Sequence, residues 1–178
     1  LRTGGDAGLR DENGHDALWF AVESGNADLV RQMLAGYKKI NRKDKHGNSL
    51  LHKAATSENP DIVALLIDKG IDVDVSAVDG NTPLMLAASK GNAGAVKVLI
   101  AKGADVNGKN NVGNTPLILS VIADSKESVK ILLDAGANID IRNNKREQAI
   151  NLAELSEESS ILEMLKQHKN EKKLFGIF

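Results

Sequence analysis

The chain has 178 residues, a formal net charge of −1 and no cysteine. Near-neutral charge and an aromatic content of only 3% argue against a general nucleic-acid binder, which needs clustered cations or stacking platforms. The lack of cysteine excludes a disulfide framework and thiolate metal sites, and the longest apolar runs are far too short to span a bilayer.

One period organises the sequence. Gly14, Gly47, Gly80 and Gly113 stand 33 residues apart, and Leu18, Leu51, Leu84, Leu117 and Ile150 keep the same step. So do Val30, Val63, Val96, Val129 and Leu162, and then Met33, Leu66, Leu99, Leu132 and Leu165. A chain that repeats its apolar positions in this way builds one small unit and stacks the copies.

In chain order, residues 4–11 align with residues 136–143 at a spacing of 132, which is four periods. Residues 1–10 are therefore expected to be the remnant of a preceding repeat, with a Gly-rich leader as the alternative. Units follow at 11–43, 44–76, 77–109 and 110–142. The third is the clearest. Asp79-Gly80 marks a tight turn, where glycine accepts a positive φ without a Cβ clash. Thr82 is placed to cap a first helix and Pro83 to occupy its first position, where a missing N–H costs nothing. Leu84, Ala87 and Ala88 follow at helical spacing, and Lys90-Gly91 ends the helix. Asn92 caps a second helix with Val96, Leu99 and Ile100 inward, and Gly103 stops it. The second unit places Leu50 in the proline slot and opens its second helix with Asn59-Pro60. The first unit is looser, with Asp16-Ala17-Leu18-Trp19 at its first helix.

Residues 143–170 keep the step but lose the motif, with Arg146 in the turn-glycine slot and Gln148-Ala149-Ile150-Asn151 at the first helix. Ile161, Leu162 and Leu165 point inward, while Glu157, Glu158, Glu163, Lys166 and Gln167 give a polar outer surface. A terminal repeat needs that surface to face water, so this unit reads as a C-terminal cap. Residues 171–178 form a tail carrying Leu174, Phe175, Ile177 and Phe178, either folded back on the last helix or left as a docking peptide.

The motifs Gly80-Asn81-Thr82-Pro83-Leu84, Gly113-Asn114-Thr115-Pro116-Leu117 and Gly103-Ala104-Asp105-Val106-Asn107, together with the Gly91 break, resemble the ankyrin repeat. The resemblance covers nearly the whole chain. It implies an all-α ankyrin-repeat solenoid of stacked antiparallel helix pairs with turn fingers, with about five repeats. It implies a non-catalytic protein–protein interaction module and places partners on the concave face made by finger tips and first helices. Slot by slot, that face is Glu12, Asn13, His15, Glu23 and Ser24, then Lys45, His46, Asn48, Thr56 and Ser57. The third and fourth units add Val78, Asp79, Asn81, Ser89 and Lys90, then Asn111, Val112, Asn114, Ile122 and Ala123. Val78, Val112 and Ile122 make an apolar strip, which is a better clue to binding than scattered charge.

No catalytic constellation competes with that reading. The four histidines do not converge at a metal-ligand spacing, and the resemblance gives His52 a structural role, bonding backbone near the turn. Asp72-Val73-Asp74 lacks the glycine and distal glutamate of a calcium loop. No phosphate loop or nucleophile triad stands out, and no cofactor is expected. At least one of Trp19 and Phe20 is expected in the core, with Trp19 as a partner anchor the alternative. The expected partner is a protein, and the chain is expected to act as a monomer without a membrane span, in the cytoplasm or, alternatively, exported. A second class stays open: a regulatory or targeting segment of a larger enzyme whose catalytic domain lies outside this chain.

Overall fold

The computed structural model describes residues 9–37, 40–155 and 160–174. The expected remnant at 1–10 therefore lies almost wholly outside the described residues, as do Glu157, Glu158 and the tail beyond Leu174. The described residues form ten helices in five pairs. They are α1 (Ala17–Glu23) and α2 (Ala27–Leu34), α3 (Leu50–Ala55) and α4 (Pro60–Asp68), α5 (Pro83–Ser89) and α6 (Ala93–Ala101). Then come α7 (Pro116–Ile122) and α8 (Lys126–Asp134), and α9 (Ala149–Ala153) and α10 (Ser160–Leu174). The odd-numbered helices pack in a row, α1 on α3 on α5 on α7 on α9, and the even-numbered helices form a second row behind them.

Helices α1 to α8 each begin where a short polar side chain accepts an orphan N–H of the first turn. Asp16 accepts from the Trp19 amide, Thr82 from Met85 and Thr115 from Ile118, and Asn26, Asn92 and Ser125 do the same for second helices. At α9, where the cap is Gln148, Asn151 Oδ1 instead accepts from the Gln148 amide at 3.1 Å. Asn59 and Asn92 also reach across to the preceding unit. The Asn59 side-chain amide donates to Gly25 O at 2.9 Å, and that of Asn92 to Ala55 O at 3.1 Å and Ser57 O at 2.6 Å.

The four apolar series are the core. Leu18, Leu51, Leu84 and Val30, Val63, Val96, Val129 are fully buried, as are Leu66, Leu99, Leu132 and Leu165. Partial exposure falls on the terminal units, at Met33, Ile150 and Leu162. An inner unit is covered on two sides and a terminal one on fewer, so the same slot is drier in the middle of the stack. Trp19 is buried and Phe20 is half exposed, so one of the two aromatics enters the core.

Candidate functional site: the finger and first-helix face

Between one pair and the next the chain makes a tight finger. In the second finger, Asp44 Oδ1 accepts from the amides of His46 and Asn48, both at 2.8 Å, and the Gly47 amide donates to Asp44 O at 3.0 Å. These bonds hold the Asp44 carboxyl below the usual carboxylate range: burial pushes it up, but the donors from Asn48 and His46 outweigh that. Asp11 is held low in the first finger, chiefly by the His15 amide. In the third finger Ala77 occupies the slot of Asp44 and offers no side-chain acceptor. Asp79 takes over the work, accepting from the Asn81 amide at 3.0 Å and its side chain at 2.6 Å.

The fingers are joined by a stair of backbone bonds. The Lys45 amide donates to Asn13 O at 3.0 Å, Val78 to His46 O, Asn111 to Asp79 O and Asn144 to Val112 O, the last three at 3.1 Å. The three later steps leave no room for a Cβ at the turn glycine behind them, Gly47, Gly80 and Gly113. A Cβ on Gly80 would stand 2.9 Å from the Asn111 amide nitrogen, and one on Gly113 would stand 2.7 Å from that of Asn144. Arg146 fills the same slot in the fifth finger with φ of 65°, and no described finger packs behind it. The departure from glycine is therefore sterically open there, at the cost of a strained backbone.

Asparagine side chains add a second ladder beneath the stair. Asn110 donates its side-chain amide to Asn81 Oδ1 at 2.8 Å, and Asn143 donates to Asn114 Oδ1 at 3.0 Å and Glu147 Oε2 at 2.9 Å. Asn111 and Asn144 donate theirs to Val78 O and Asn111 O, both at 3.0 Å. Asn48 donates to Asp44 Oδ2 at 3.1 Å. The sequence reading offered Asn48, Asn81, Asn111 and Asn114 to a partner; the structure uses their polar groups to hold the fingers together. His15 is similarly engaged. Its ring stacks on Trp19 at a centroid distance of 4.2 Å and lies 3.4 Å from Asp11 Oδ2 and 3.8 Å from Asp44 Oδ2. His52 is buried, with Nδ1 accepting from the Ser49 amide at 3.1 Å and Nε2 donating to Asn81 O at 2.9 Å. Burial holds its pKa below the ordinary imidazole value.

Glu12, Lys45, His46, Asp79, Lys90, Val78, Val112 and Ile122 remain exposed, and Asn13 and Ser89 are half-buried. Of the apolar members, Val112 and Ile122 line one groove and Val78 is not part of its lining. Val112 and Ile122 are 57% and 59% exposed and line a groove of about 510 Å³ with Leu152, Asn144, Lys145 and Glu147. Val78 leans the other way: its Cγ2 would lie 2.9 Å from a Cβ on Gly47, so it covers the second finger. Leu155 was missed in the sequence reading. It is 80% exposed and stands one period after Ile122, just as Leu86, Leu119 and Leu152 occupy one slot on successive first helices. The 33-residue step was the available signal, hidden by the degenerate motif of the fifth unit. A second groove, of about 360 Å³, lies between α8 and α10 and is rimmed by Lys126, Lys130 and Glu171.

Among the described residues, no group of three His, Asp or Glu side chains could hold a metal ion, and no helix is long and apolar enough to cross a membrane. The family profile described as Ankyrin repeats (3 copies) matches residues 1–77 and again 73–143. With the paired helices and stacked fingers described above, the chain belongs to the ankyrin-repeat family. Repeats of this family are in general protein–protein interaction modules. No curated protein matches the sequence.

Proposed function

We propose that this chain is a non-catalytic module that captures a protein partner, as a monomer, on the face made by its finger tips and first helices. The binding centre lies over the fourth and fifth fingers rather than the third and fourth. One observation supports this placement: Val112 and Ile122 expose large apolar side chains on a groove also lined by Leu152, and Leu155 exposes another one period after Ile122. Grouped exposed apolar side chains on a water-soluble surface mark contact sites, since each burial contributes about 1.5–3 kcal/mol. Lys145 and Glu147 stand at the rim, where charges set register more than affinity.

The test is partner capture by the folded chain carrying Val112→Arg and Ile122→Arg together. Both side chains are already in water, so helicity and unfolding midpoint are expected to stay within the wild-type range. Capture is expected to fall by about two orders of magnitude, from two lost apolar anchors and a charge forced into the contact. Undiminished capture would refute the placement.

A further inference from the structure

We propose that Asn107 modifies itself, converting its side-chain amide to a carboxylate through a cyclic imide formed with Gly108. In this chemistry the amide nitrogen of the following residue attacks the asparagine Cγ. A new C–N bond forms, the bond to the side-chain nitrogen breaks, and ammonia leaves carrying the displaced proton. Water then opens the ring at either carbonyl, giving aspartate or its isomer with the backbone routed through the side chain. No oxidant or reductant is needed, and water is the only co-reactant. Glycine is the most permissive next residue because no Cβ shields its nitrogen.

The sequence holds two Asn-Gly dipeptides, Asn13-Gly14 and Asn107-Gly108, and the structure separates them. Gly14 is locked at φ of 88°, its amide donates to Asp11 O at 3.0 Å, and the Asn13 carbonyl accepts from Lys45. The attacking nitrogen is committed to the turn, and the peptide is pinned on both sides. Asp79-Gly80 is held in the same way, with the Gly80 amide on Ala77 O at 3.1 Å. Gly108 lies in the loop below the fingers. Among the described residues its amide makes no well-aligned hydrogen bond, although Val75 donates to Asp72 O at 3.2 Å at the end of the matching turn one unit earlier.

The electrophile is prepared as well. Asn107 Oδ1 accepts from the Asn138 amide at 2.8 Å, which places a donor on the oxygen that gains negative charge as the ring closes. Asn107 is itself positioned by its own amide, which donates to Asp105 Oδ1 at 2.9 Å. The two products differ in consequence. One period earlier, Asp74 already fills this slot with a carboxylate and accepts from the Asp105 amide at 3.1 Å, so aspartate keeps the tie between loops. The isomer adds a backbone carbon and shortens the side chain, which takes the acceptor away from Asn138.

The experiment ages the intact folded chain at mildly alkaline pH and body temperature, then maps tryptic peptides by mass and by isoaspartate content. Acid is expected at Asn107 at least about tenfold ahead of Asn13, a barrier difference of about 1.4 kcal/mol. Amide exchange at Asn138 is expected to rise with the isomer fraction. Gly108→Ala is expected to suppress the reaction while folding normally: its new Cβ would meet nothing closer than Asp105 Oδ2 at 3.3 Å. Asn13 keeping pace with Asn107 would overturn the assignment. So would an Asn107 that stays intact in the folded chain and reacts only in urea.

Discussion

Replacing His52 with methionine isolates one joint between two repeats. The same slot holds Met85 and Ile118 in the next two units, each 1% exposed, so the cavity accepts a long apolar side chain and the volume term is small. What the variant loses is polar. The Ser49 amide, in a residue 1% exposed, is left without the imidazole acceptor, and Asn81 O loses one of two donors, keeping the Ala77 amide at 2.9 Å. One buried orphan amide costs about 1–3 kcal/mol; the half-buried Asn81 carbonyl still accepts from Ala77 and adds less. The expected loss is therefore about 1–3 kcal/mol in urea unfolding at neutral pH, with faster exchange of the Ser49 amide. The pH dependence carries a second signature. Nδ1 must stay unprotonated to accept from Ser49, and burial lowers the folded pKa, so the unfolded chain takes up the proton first. The stability that His52 supplies is complete above about pH 6.5, the ordinary imidazole value, and is lost as pH falls through the depressed folded value. His15, His46 and His168 are common to both proteins and cancel in the difference. A loss under about 0.5 kcal/mol, with the wild-type advantage flat from pH 8 to pH 5, would refute the claim that this ring links the repeats.

Two further substitutions probe the stack. Leu99→Ala removes a fully buried side chain from the central row and is expected to cost about 2–5 kcal/mol, with one half of the array losing exchange protection first; a loss below about 1 kcal/mol would show the site is not core. Gly113→Ala and Gly103→Ala both force alanine into positive φ, at 79° and 89°. The strain common to both is about 1–2 kcal/mol. Only Gly113 faces a finger, so its unfolding midpoint is expected to fall well below that of Gly103→Ala, whose Cβ meets nothing within 4 Å; equal midpoints would mean the fingers separate without cost.

The helices and their ends were legible in the sequence because each depends on neighbours a few residues apart. Thr82-Pro83 and Thr115-Pro116 announce their caps locally, and the four apolar series return because every unit meets the same two neighbours. The fate of the polar finger residues was not legible. Asn81 and Asn110 are 29 residues apart, and nothing near either one shows that the stacking of two turns will bring Oδ1 and Nδ2 together. Val78 is exposed like Val112, yet it fills the slot of Asn111 and Asn144 and lies against the turn glycine of the preceding finger, Gly47. Leu155 follows the period but sits where the fifth unit has lost the motif, so its slot is recognised only once α9 is in place beside α7.

Arg146 gives the array a direction of growth. At Gly47, Gly80 and Gly113 the missing Cβ leaves a seat for the next backbone, and at the fifth finger that seat is taken by the first carbon of an arginine side chain. A further finger packed on this face would meet that carbon where Gly47, Gly80 and Gly113 admit the next backbone, so stacking there is sterically opposed. An engineer wishing to append another unit would have to restore glycine at this position before any choice of new helix could matter.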